Sequence, residues 1–443
     1  RAVLARIPDG DYDFWDYLDH DFVSNVPLRI RVRLSVRGSD LHLDFAGTDP
    51  QVISAFNLPT ADRRHPYLTL RFLQLIFAHD DTTPMNHGAL GTISTAAPKG
   101  TVLNPDYPAA CGVRHAVMIR LIDVVSGALH RAVPGLVPAA SGGTVLPVVL
   151  AETDAKTGRR KSAVIQSVIT GGGARAVADG LDGRESGLSN TRNSPMETTE
   201  EAAPVRVEAY GLRPDSGGPG RWRGGLGLLY RIRMLKPDLA ILARGLERFR
   251  FAPWGVAGGG AAAPCRVILN EGTDREEEIT RLDMLPLEEG DTLTFMTPGG
   301  GGYGDPFTRE PERVLRDVLR GFVSVEGARR DYGVAIAGGA VDLSETEALR
   351  AGRPPREGFD FGPERELWER VLDDATACRL NAALEGLPYA ARSPARRKLL
   401  EAALPGLAEL ATPALAPVLG DPEAARAGVL AAVARLETGG GGA

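Results

Sequence analysis

A glycine-rich stretch is the clearest place in this sequence where residue type and spacing could do chemistry. Residues 297–306 read TPGGGGYGDP and contain the GxGxxG spacing of a dinucleotide-binding turn, in which a pyrophosphate reaches the N-terminus of the next helix. Asp305 would place a carboxylate where the phosphate should lie, and Pro306 lacks a backbone donor. No lysine follows, which excludes a P-loop. We therefore predict a structural turn or a subunit contact, with nucleotide binding as the weaker alternative.

A second candidate is the polar run at residues 179–197, where carboxylates, amides and arginines follow one another without apolar periodicity. Such groups are costly to bury, so they lie either in water or in a hydrogen-bonded site. Arg192 could clamp a carboxylate or a carbonyl group, and Asn190 or Asn193 could orient it. The alternative is an ordered surface loop held by Asx turns.

Other polar clusters allow two readings each. Residues 44–51 (DFAGTDPQ) and Asn57 could bind a ligand or cap the turn after a strand. Arg29, Arg31 and Arg33 share one face of a predicted strand, which indicates either a solvated face or a basic patch. The segment at 213–227 joins glycines to arginines and could form an anion-binding nest or a sheet corner.

Histidine and cysteine patterns indicate no metal centre. The seven histidines form no HxH, HxxxH or HExxH pair, so a complete metal site cannot be read from the sequence. The three cysteines are far apart and form no CxxC, which fits a reducing compartment without structural zinc or disulfides.

Composition describes an ordinary globular protein of two to four domains. The 443 residues are 43% apolar and 24% charged, and the net charge of −6 gives no general attraction to nucleic acid or anionic membranes. No apolar run reaches the length of a membrane span and no signal peptide is present, so we predict a cytoplasmic protein. The first residue is Arg1 rather than Met, which suggests that an upstream section was removed or is encoded elsewhere.

Periodicity predicts the elements that must position these groups. Alternating runs predict strands at 29–36, 41–45, 145–150, 162–168, 228–234 and 292–296. Helical periodicity predicts helices at 67–78, 111–132, 324–332, 364–385, 393–411 and 421–437. Another short helix ends at Gly321, with Thr308 as its predicted N-cap and Pro311 in its first turn.

The predicted fold class is α+β and multi-domain, because 53 glycines and 32 prolines favour many turns and short strands. Residues 1–135 form a predicted N-terminal α+β region, which would continue a missing upstream section. Residues 136–345 form a predicted β-rich core with glycine-rich turns. Residues 346–443 form a predicted C-terminal extension, a small antiparallel helical bundle ending in a disordered tail at 437–443.

The order of these motifs resembles the hydantoinase B/oxoprolinase family over about residues 1–341. The resemblance is carried by the segments 44–48 (DFAGT), 84–88 (PMNHG), 104–105 (NP), 190–193 (NTRN), 215–225 (DSGGPGRWRGG), 253–255 (PWG) and 298–306 (PGGGGYGDP). No single motif is decisive, but their shared order leaves little room for chance.

The resemblance implies a B-type subunit of an enzyme that opens cyclic amides such as hydantoins or 5-oxoproline. In this family an A-type partner binds ATP and phosphorylates the carbonyl oxygen of the substrate, after which the B-type subunit completes ring opening. Relatives include large subunits of acetone and acetophenone carboxylases. A divalent metal is also implied, with ligands in an N-terminal NDPYxGGTH-type section that is not found in this sequence.

The resemblance and the polar character of glycine-rich turns together select ten residues for a substrate-binding or partner surface. They are Asp44, Thr48, Asn57, Asn86, Arg114, Asn190, Arg192, Asn193, Asp215 and Arg223. No acid or base is assigned among them. Three alternatives stay open: a ketone carboxylase subunit, a non-catalytic scaffold that holds an A-type partner, and a dinucleotide-dependent oxidoreductase.

Overall fold

A computed structural model describes residues 1–144, 146–153, 157–184, 188 and 194–438. The chain forms two compact units, one made of Arg1–Val137 with Pro363–Ala443 and the other of Pro138–Gly362. The helices, strands and glycine-rich turns confirm the predicted α+β class. The three-domain division stays a prediction, and residues 439–443 of the predicted disordered tail lie outside the described residues.

The N-terminal part of the first unit is a four-stranded sheet with two helices. The strands are β1 (Gly10–Leu18), β2 (Leu28–Arg37), β3 (Asp40–Asp44) and β4 (Ile93–Ala96), in the order β1-β2-β3-β4. All neighbours are antiparallel except β3 and β4. The helices are α1 (Pro66–His79) and α2 (Arg114–Ala132). Helix α2 packs on the sheet, and α1 packs against α2. Apolar residues alternate along β2, and those at 30, 32, 34 and 36 are fully buried, as the alternating pattern requires.

The second unit contains two antiparallel sheets that share one hydrophobic core. Its elements are β5 (Leu146–Thr153), β6 (Arg160–Val168), α3 (Met196–Ala202), β7 (Val205–Leu212), β8 (Leu228–Met234), β9 (Leu239–Leu242), β10 (Arg266–Leu269), β11 (Glu277–Ile279), β12 (Met284–Leu287) and β13 (Thr292–Met296). One sheet has the order β11-β10-β13-β8-β7 and the other β12-β9-β5-β6.

A small helical region completes the second unit around its own core. It consists of α4 (Pro311–Leu319), α5 (Val325–Tyr332), β14 (Ala335–Ala337), β15 (Ala340–Asp342) and α6 (Leu343–Arg350). The predicted N-cap Thr308 is wrong, because Thr308 belongs to a short 3-10 turn and Glu310 takes the cap position of α4. Ser324 caps α5 by accepting a hydrogen bond from the Gly327 amide at 2.8 Å.

The C-terminal helices return to the first unit. They are α7 (Pro363–Val371), α8 (Asp374–Ala383), α9 (Tyr389–Ala403), α10 (Ala416–Leu419) and α11 (Pro422–Thr438). The single helix predicted at 364–385 is therefore two helices, because Asp373 accepts a hydrogen bond from the Thr376 amide and caps a new one. Among the helices of the described ranges, none has both the length and the apolar character needed to cross a membrane.

Candidate functional site

The arginine face of β2 is not a free basic patch, and the prediction of a solvated face holds only for its outer residue Arg33, which is 49% exposed. Arg29 and Arg31 are buried, and both donate to the carboxylate of Asp374 on α8, Arg31 at 3.0 Å. Arg31 and Arg33 also donate to Asp13, which lies opposite Arg33 on β1. Burial by itself would raise the pKa of Asp13, but the hydrogen bond from Arg33 and the charge of Arg31 outweigh it and lower that pKa.

The segment after β3 is held against the same strand. Asp44 caps the turn by accepting a hydrogen bond from the Ala46 amide at 2.9 Å. The buried Thr48 hydroxyl accepts from the Arg31 amide and donates to the Arg31 carbonyl, both at 3.1 Å. Thr48 therefore extends the hydrogen bonding of β2, and its hydroxyl is already used within the fold.

Asp49 connects this segment to the C-terminal helices. Its carboxylate accepts hydrogen bonds from the backbone amide of Arg29 at 2.7 Å and from the guanidinium of Arg396 on α9 at 2.8 Å. It also accepts one from the side-chain amide of Asn381 on α8 at 3.0 Å. Because the carboxylate is 1% exposed, these three donors compensate the cost of burying its charge.

Asn57 fastens two loops together. Its side-chain oxygen accepts from the Val52 amide at 2.9 Å. Its amide group donates to the carbonyl oxygens of Val52, Ser54 and Ala110 at 2.8, 3.1 and 2.9 Å. Asn57 is fully buried, so it positions the loops at 52–54 and 108–110 rather than meeting a ligand itself.

Two clefts lie where these loops meet α8 and α9. The first, named here the Arg397 cleft, has a volume of about 180 Å³. It is lined by Asp21, Val23, Gln51, Val52, Ile53, Pro108, Ala109, Ala110, Ala390, Ser393, Pro394 and Arg397. Most of this lining is apolar, and the Asn57 contacts fix two of its walls.

The second, named here the Tyr389 cleft, has a volume of about 370 Å³. It is lined by Ala46, Gly47, Thr48, Pro50, Pro98, Lys99, Gly100, Thr101, Asn381, Glu385, Tyr389 and Arg392. Lys99 and Arg392 both lie over the Tyr389 ring, at 5.6 and 4.6 Å from its centroid. Lys99 also pairs with Asp106 at 2.8 Å, and Arg392 donates to backbone carbonyls, so both cations have partners within the fold.

In the second unit, the glycine run at 299–304 is a packing element. A Cβ atom at Gly300 would lie 2.0 Å from the Gly172 carbonyl oxygen, and one at Gly301 would lie 1.9 Å from the Trp254 carbonyl oxygen. The amides of Gly300, Gly301 and Gly302 donate to backbone carbonyls at 2.8–3.0 Å. A pyrophosphate group needs such amides as free donors. Because these amides already donate to carbonyls, the turn does not fit a nucleotide, and its geometry is that of the predicted structural turn.

A buried ion network lies beside the glycine run. Arg309 donates to Asp179 at 2.7 Å and to Asp317 at 2.7 Å, and Arg223 donates to Asp182 at 2.9 Å. Burial alone would raise the pKa of Asp179, but the hydrogen bond and charge of Arg309 hold it below its usual value. The network joins two parts of the chain to Asp317 of α4. Arg223 precedes the glycine run in the sequence, and Arg309 follows it.

The other predicted site residues are dispersed. Asn86 is exposed and caps a 3-10 turn, and Arg114 is exposed at the start of α2. Asp215 accepts a hydrogen bond from the Ser324 amide at 2.9 Å, which joins its loop to α5. Asn190, Arg192 and Asn193 lie outside the described residues.

The described site residues are therefore divided between the units: Asp44, Thr48, Asn57, Asn86 and Arg114 belong to the first, whereas Asp215 and Arg223 belong to the second. Sequence reasoning missed Ser393 and Arg397, which line a cleft with the loops fixed by Asn57. The only signal for them was the basic run at 392–398, which lies outside the family motifs.

The described residues hold no group of three or more His, Cys, Asp or Glu side chains placed to bind a metal ion. The side chains of the described residues thus do not fit the metal that the resemblance implies. The three cysteines are free thiols.

Comparison with known proteins finds the same family that the order of the motifs indicates. The family model for Hydantoinase B/oxoprolinase matches residues 1–306. A protein named as the B subunit of a D-/L-hydantoinase, from Pseudomonas sp. (strain NS671), is 35% identical over 363 residues, covering 79% of this chain and 60% of its own length. Three curated relatives, this one among them, are matched over 57–61% of their length.

Solved structures share the fold. The ATP-dependent caprolactamase from Pseudomonas jessenii superposes with a TM-score of 0.68 at 29% identity, covering 79% of this chain and 61% of that one. Nucleotide-free acetone carboxylase also gives a TM-score of 0.68, at 19% identity over 90% of this chain and 60% of that one. At that identity the second likeness concerns the fold alone. The family match over more than half of the sequence means that this chain belongs to the hydantoinase B/oxoprolinase family.

Proposed function

We propose that this chain acts as the B-type subunit of an ATP-dependent enzyme that hydrolyses cyclic amides. The observation that carries the proposal is its 35% identity to the B subunit of a hydantoinase over 79% of the chain. The fold likeness to an ATP-dependent caprolactamase supports the same class of reaction.

The proposed reaction has two stages, activation of the carbonyl group and hydrolysis, because of the chemistry of the substrate. A cyclic amide resists attack by water, because its nitrogen shares electrons with the carbonyl group. Transfer of the terminal phosphoryl group of ATP to the carbonyl oxygen converts that oxygen into a leaving group. Water then adds to the carbon and the carbon–nitrogen bond breaks, with the nitrogen taking up a proton, which leaves an acyl phosphate on the opened chain. A second water hydrolyses this acyl phosphate, so one ring, one ATP and two waters yield one opened product, one ADP and one phosphate.

We assign ATP binding and phosphoryl transfer to an A-type partner, and completion of ring opening to the B-type chain. The glycine run supports this assignment, because its amides are already committed to backbone carbonyls. Asp44, Thr48, Asn57, Asn86, Arg114, Asp215 and Arg223 are proposed to shape or support the surfaces that face substrate or partner. The free cysteines agree with the proposed cytoplasmic location.

The test is reconstitution of the complete chain with an A-type subunit. ATP, a divalent metal ion and N-methylhydantoin, 5-oxoproline or caprolactam are supplied, and ADP and ring-opened product are measured. We expect both products in equal amounts, and neither when one subunit is omitted.

Other outcomes separate the alternatives. Carboxylated acetone or acetophenone in the presence of bicarbonate, without ring opening, would instead indicate a carboxylase subunit. Lack of turnover with every component present would favour a scaffold. NAD-dependent quenching of the four tryptophans would revive the oxidoreductase reading.

A further inference from the structure

The Arg397 cleft is too small to enclose a typical organic ligand. Its volume is about 180 Å³, whereas pockets for drug-sized molecules span roughly 300–1,000 Å³. Its lining includes Val52, Pro108, Ala110 and Pro394, which offer apolar surface. A cavity of this size and character suits one apolar side chain presented by a larger partner.

Two polar groups of the cleft have no partner within the described part of the chain. The Arg397 guanidinium and the Ser393 hydroxyl, one helical turn apart on α9, make no hydrogen bond or ion pair there. The other polar side chains of the lining are in use, since Asp21 accepts from the Ser24 amide and Gln51 bonds to the Asp106 backbone. A guanidinium in this setting is suited to a carboxylate, which it can bind through two parallel hydrogen bonds.

The apolar surface continues beyond the cleft. Val23 and Ile53 belong to its lining and are 47% and 79% exposed, and Tyr107, next to Pro108 in the chain, is 92% exposed. Large apolar side chains gathered around one depression are typical of a protein contact. Tyrosine and arginine are also the residue types that dominate the binding energy of such contacts.

The walls of the cleft are held before any partner arrives. Asn57 ties the 52–54 loop to Ala110 through four hydrogen bonds. The opposite wall belongs to α9, where Arg396 is anchored to the buried Asp49 at 2.8 Å. A partner that enters would therefore spend little free energy on ordering this surface.

We propose that the Arg397 cleft is the docking site for the A-type subunit, which inserts an apolar side chain flanked by a carboxylate. The apolar side chain fills the apolar part of the cleft, and the carboxylate pairs with Arg397. This inference rests on the proposed function, because that function requires such a partner.

Isothermal titration calorimetry tests the docking site by measuring the dissociation constant between the complete chain and an A-type subunit. We expect Ile53→Glu and Arg397→Glu each to weaken binding about tenfold or more. Matched controls in the second unit are Val177→Glu, at a side chain 76% exposed, and Arg206→Glu, at an exposed arginine. These controls are expected to bind within about twofold of wild type, and melting temperatures establish that all four variants fold.

Activity separates failure of this inference from failure of the proposed function. If the wild-type complex hydrolyses cyclic amides while the cleft variants bind as tightly as wild type, docking at this cleft is overturned and the function stands. If the complex forms through the cleft but opens no ring, docking stands and the function fails. A wild-type chain that binds no A-type subunit overturns the docking site as well.

Two further outcomes would assign the cleft to another occupant. Saturable binding of hexanoate that Arg397→Glu abolishes, with unchanged affinity for the A-type subunit, would make it a small-carboxylate site. A change in self-association of the Ile53→Glu chain by analytical ultracentrifugation, again without a change in partner affinity, would make it a contact between copies. Either result overturns the proposal.

Discussion

The two units bury polar groups in different ways. The first unit uses charged side chains, and its Arg29 and Arg31 meet carboxylates contributed by strands and by the C-terminal helices. The second unit has an ion network of its own around Arg309, but it also uses the backbone itself, since the amides at 300–302 bond to carbonyls of other glycine-rich segments at distances that leave no room for a Cβ atom. Both patterns resemble anion-binding surfaces in the sequence, and both are satisfied from within the chain.

The two arrangements differ in the kind of substitution that disrupts them. A side-chain ion pair depends on charge and loses a partner when one carboxylate is neutralised. A backbone contact depends on shape and is disturbed by a single added methyl group. Substitutions that alter shape alone and charge alone therefore distinguish the two arrangements.

The largest effect is expected for Gly300→Ala. Its Cβ atom would lie 2.0 Å from the Gly172 carbonyl oxygen and 2.5 Å from the Gly173 nitrogen, and backbone on that side cannot move independently. We expect the free energy of unfolding to fall by about 3 kcal/mol or more, measured by urea denaturation. Gly211→Ala is the control, because nothing lies within 4 Å of its Cβ position. Equal stability of the two variants would contradict the packing role of the glycine run.

A smaller but clear loss is expected for Asp374→Asn. The substitution keeps the shape and removes the charge shared by the buried Arg29 and Arg31. Because the Asp374 side chain is 29% exposed and Arg31 keeps Asp13, we expect a loss of about 2 kcal/mol, below the full cost of breaking a buried pair. The control Asp11→Asn removes an exposed, solvent-screened partner of Arg37 and should leave the free energy of unfolding nearly unchanged. A loss for Asp374→Asn no greater than that of the control would show that the arginine face does not need its charge partner.

Acid should weaken the second unit through Asp179. Arg309 lowers the pKa of Asp179 in the folded chain, so the unfolded chain takes up the proton first as the pH falls. The stability that this pair contributes is present above the ordinary aspartate pKa of 3.8 and is lost as the pH falls through the lower folded value. Asp179→Asn should therefore show a shallower decrease in melting temperature between about pH 5 and about pH 2 than wild type. Parallel curves would exclude a contribution from this carboxylate.

The smallest effect is expected at the outer end of the arginine face. Arg33 donates to Asp13 but is 49% exposed, unlike Arg29 and Arg31. We expect Arg33→Ala to lower the free energy of unfolding by less than about 1 kcal/mol, measured by urea denaturation. A loss as large as that of Asp374→Asn would mean that the exposure of an arginine on this strand does not determine how much it contributes to the free energy of unfolding.

Local pattern was sufficient for much of the fold. Strands β8 and β13 begin and end where their alternating apolar residues predict, and α5 (Val325–Tyr332) begins within one residue of the helix predicted at 324–332. The break within the helix predicted at 364–385 could have been inferred from Asp373, because aspartate favours the N-cap position. These features depend on residues close together in the sequence.

The polar contacts depend on residues far apart, and sequence pattern did not predict them. Arg29 meets Asp374 across 345 positions, and Asp49 meets Asn381 across 332. Similarly, four consecutive glycines indicate that another backbone approaches, but nothing in the run identifies Gly172 or Trp254 as that neighbour. The family resemblance supplied the function class, because polar residues in turns do not by themselves distinguish a site from a cap.

The first unit is discontinuous, since residues 138–362 separate its N-terminal sheet from the helices that complete it. On the ribosome the sheet emerges long before Asp374 and Arg396, the residues that neutralise Arg29 and Asp49. At roughly 5–20 residues per second, that delay is on the order of ten seconds or more. During that interval Arg29 and Asp49 lack these charged partners, so we expect the first unit to complete its folding only after the second unit has been synthesised.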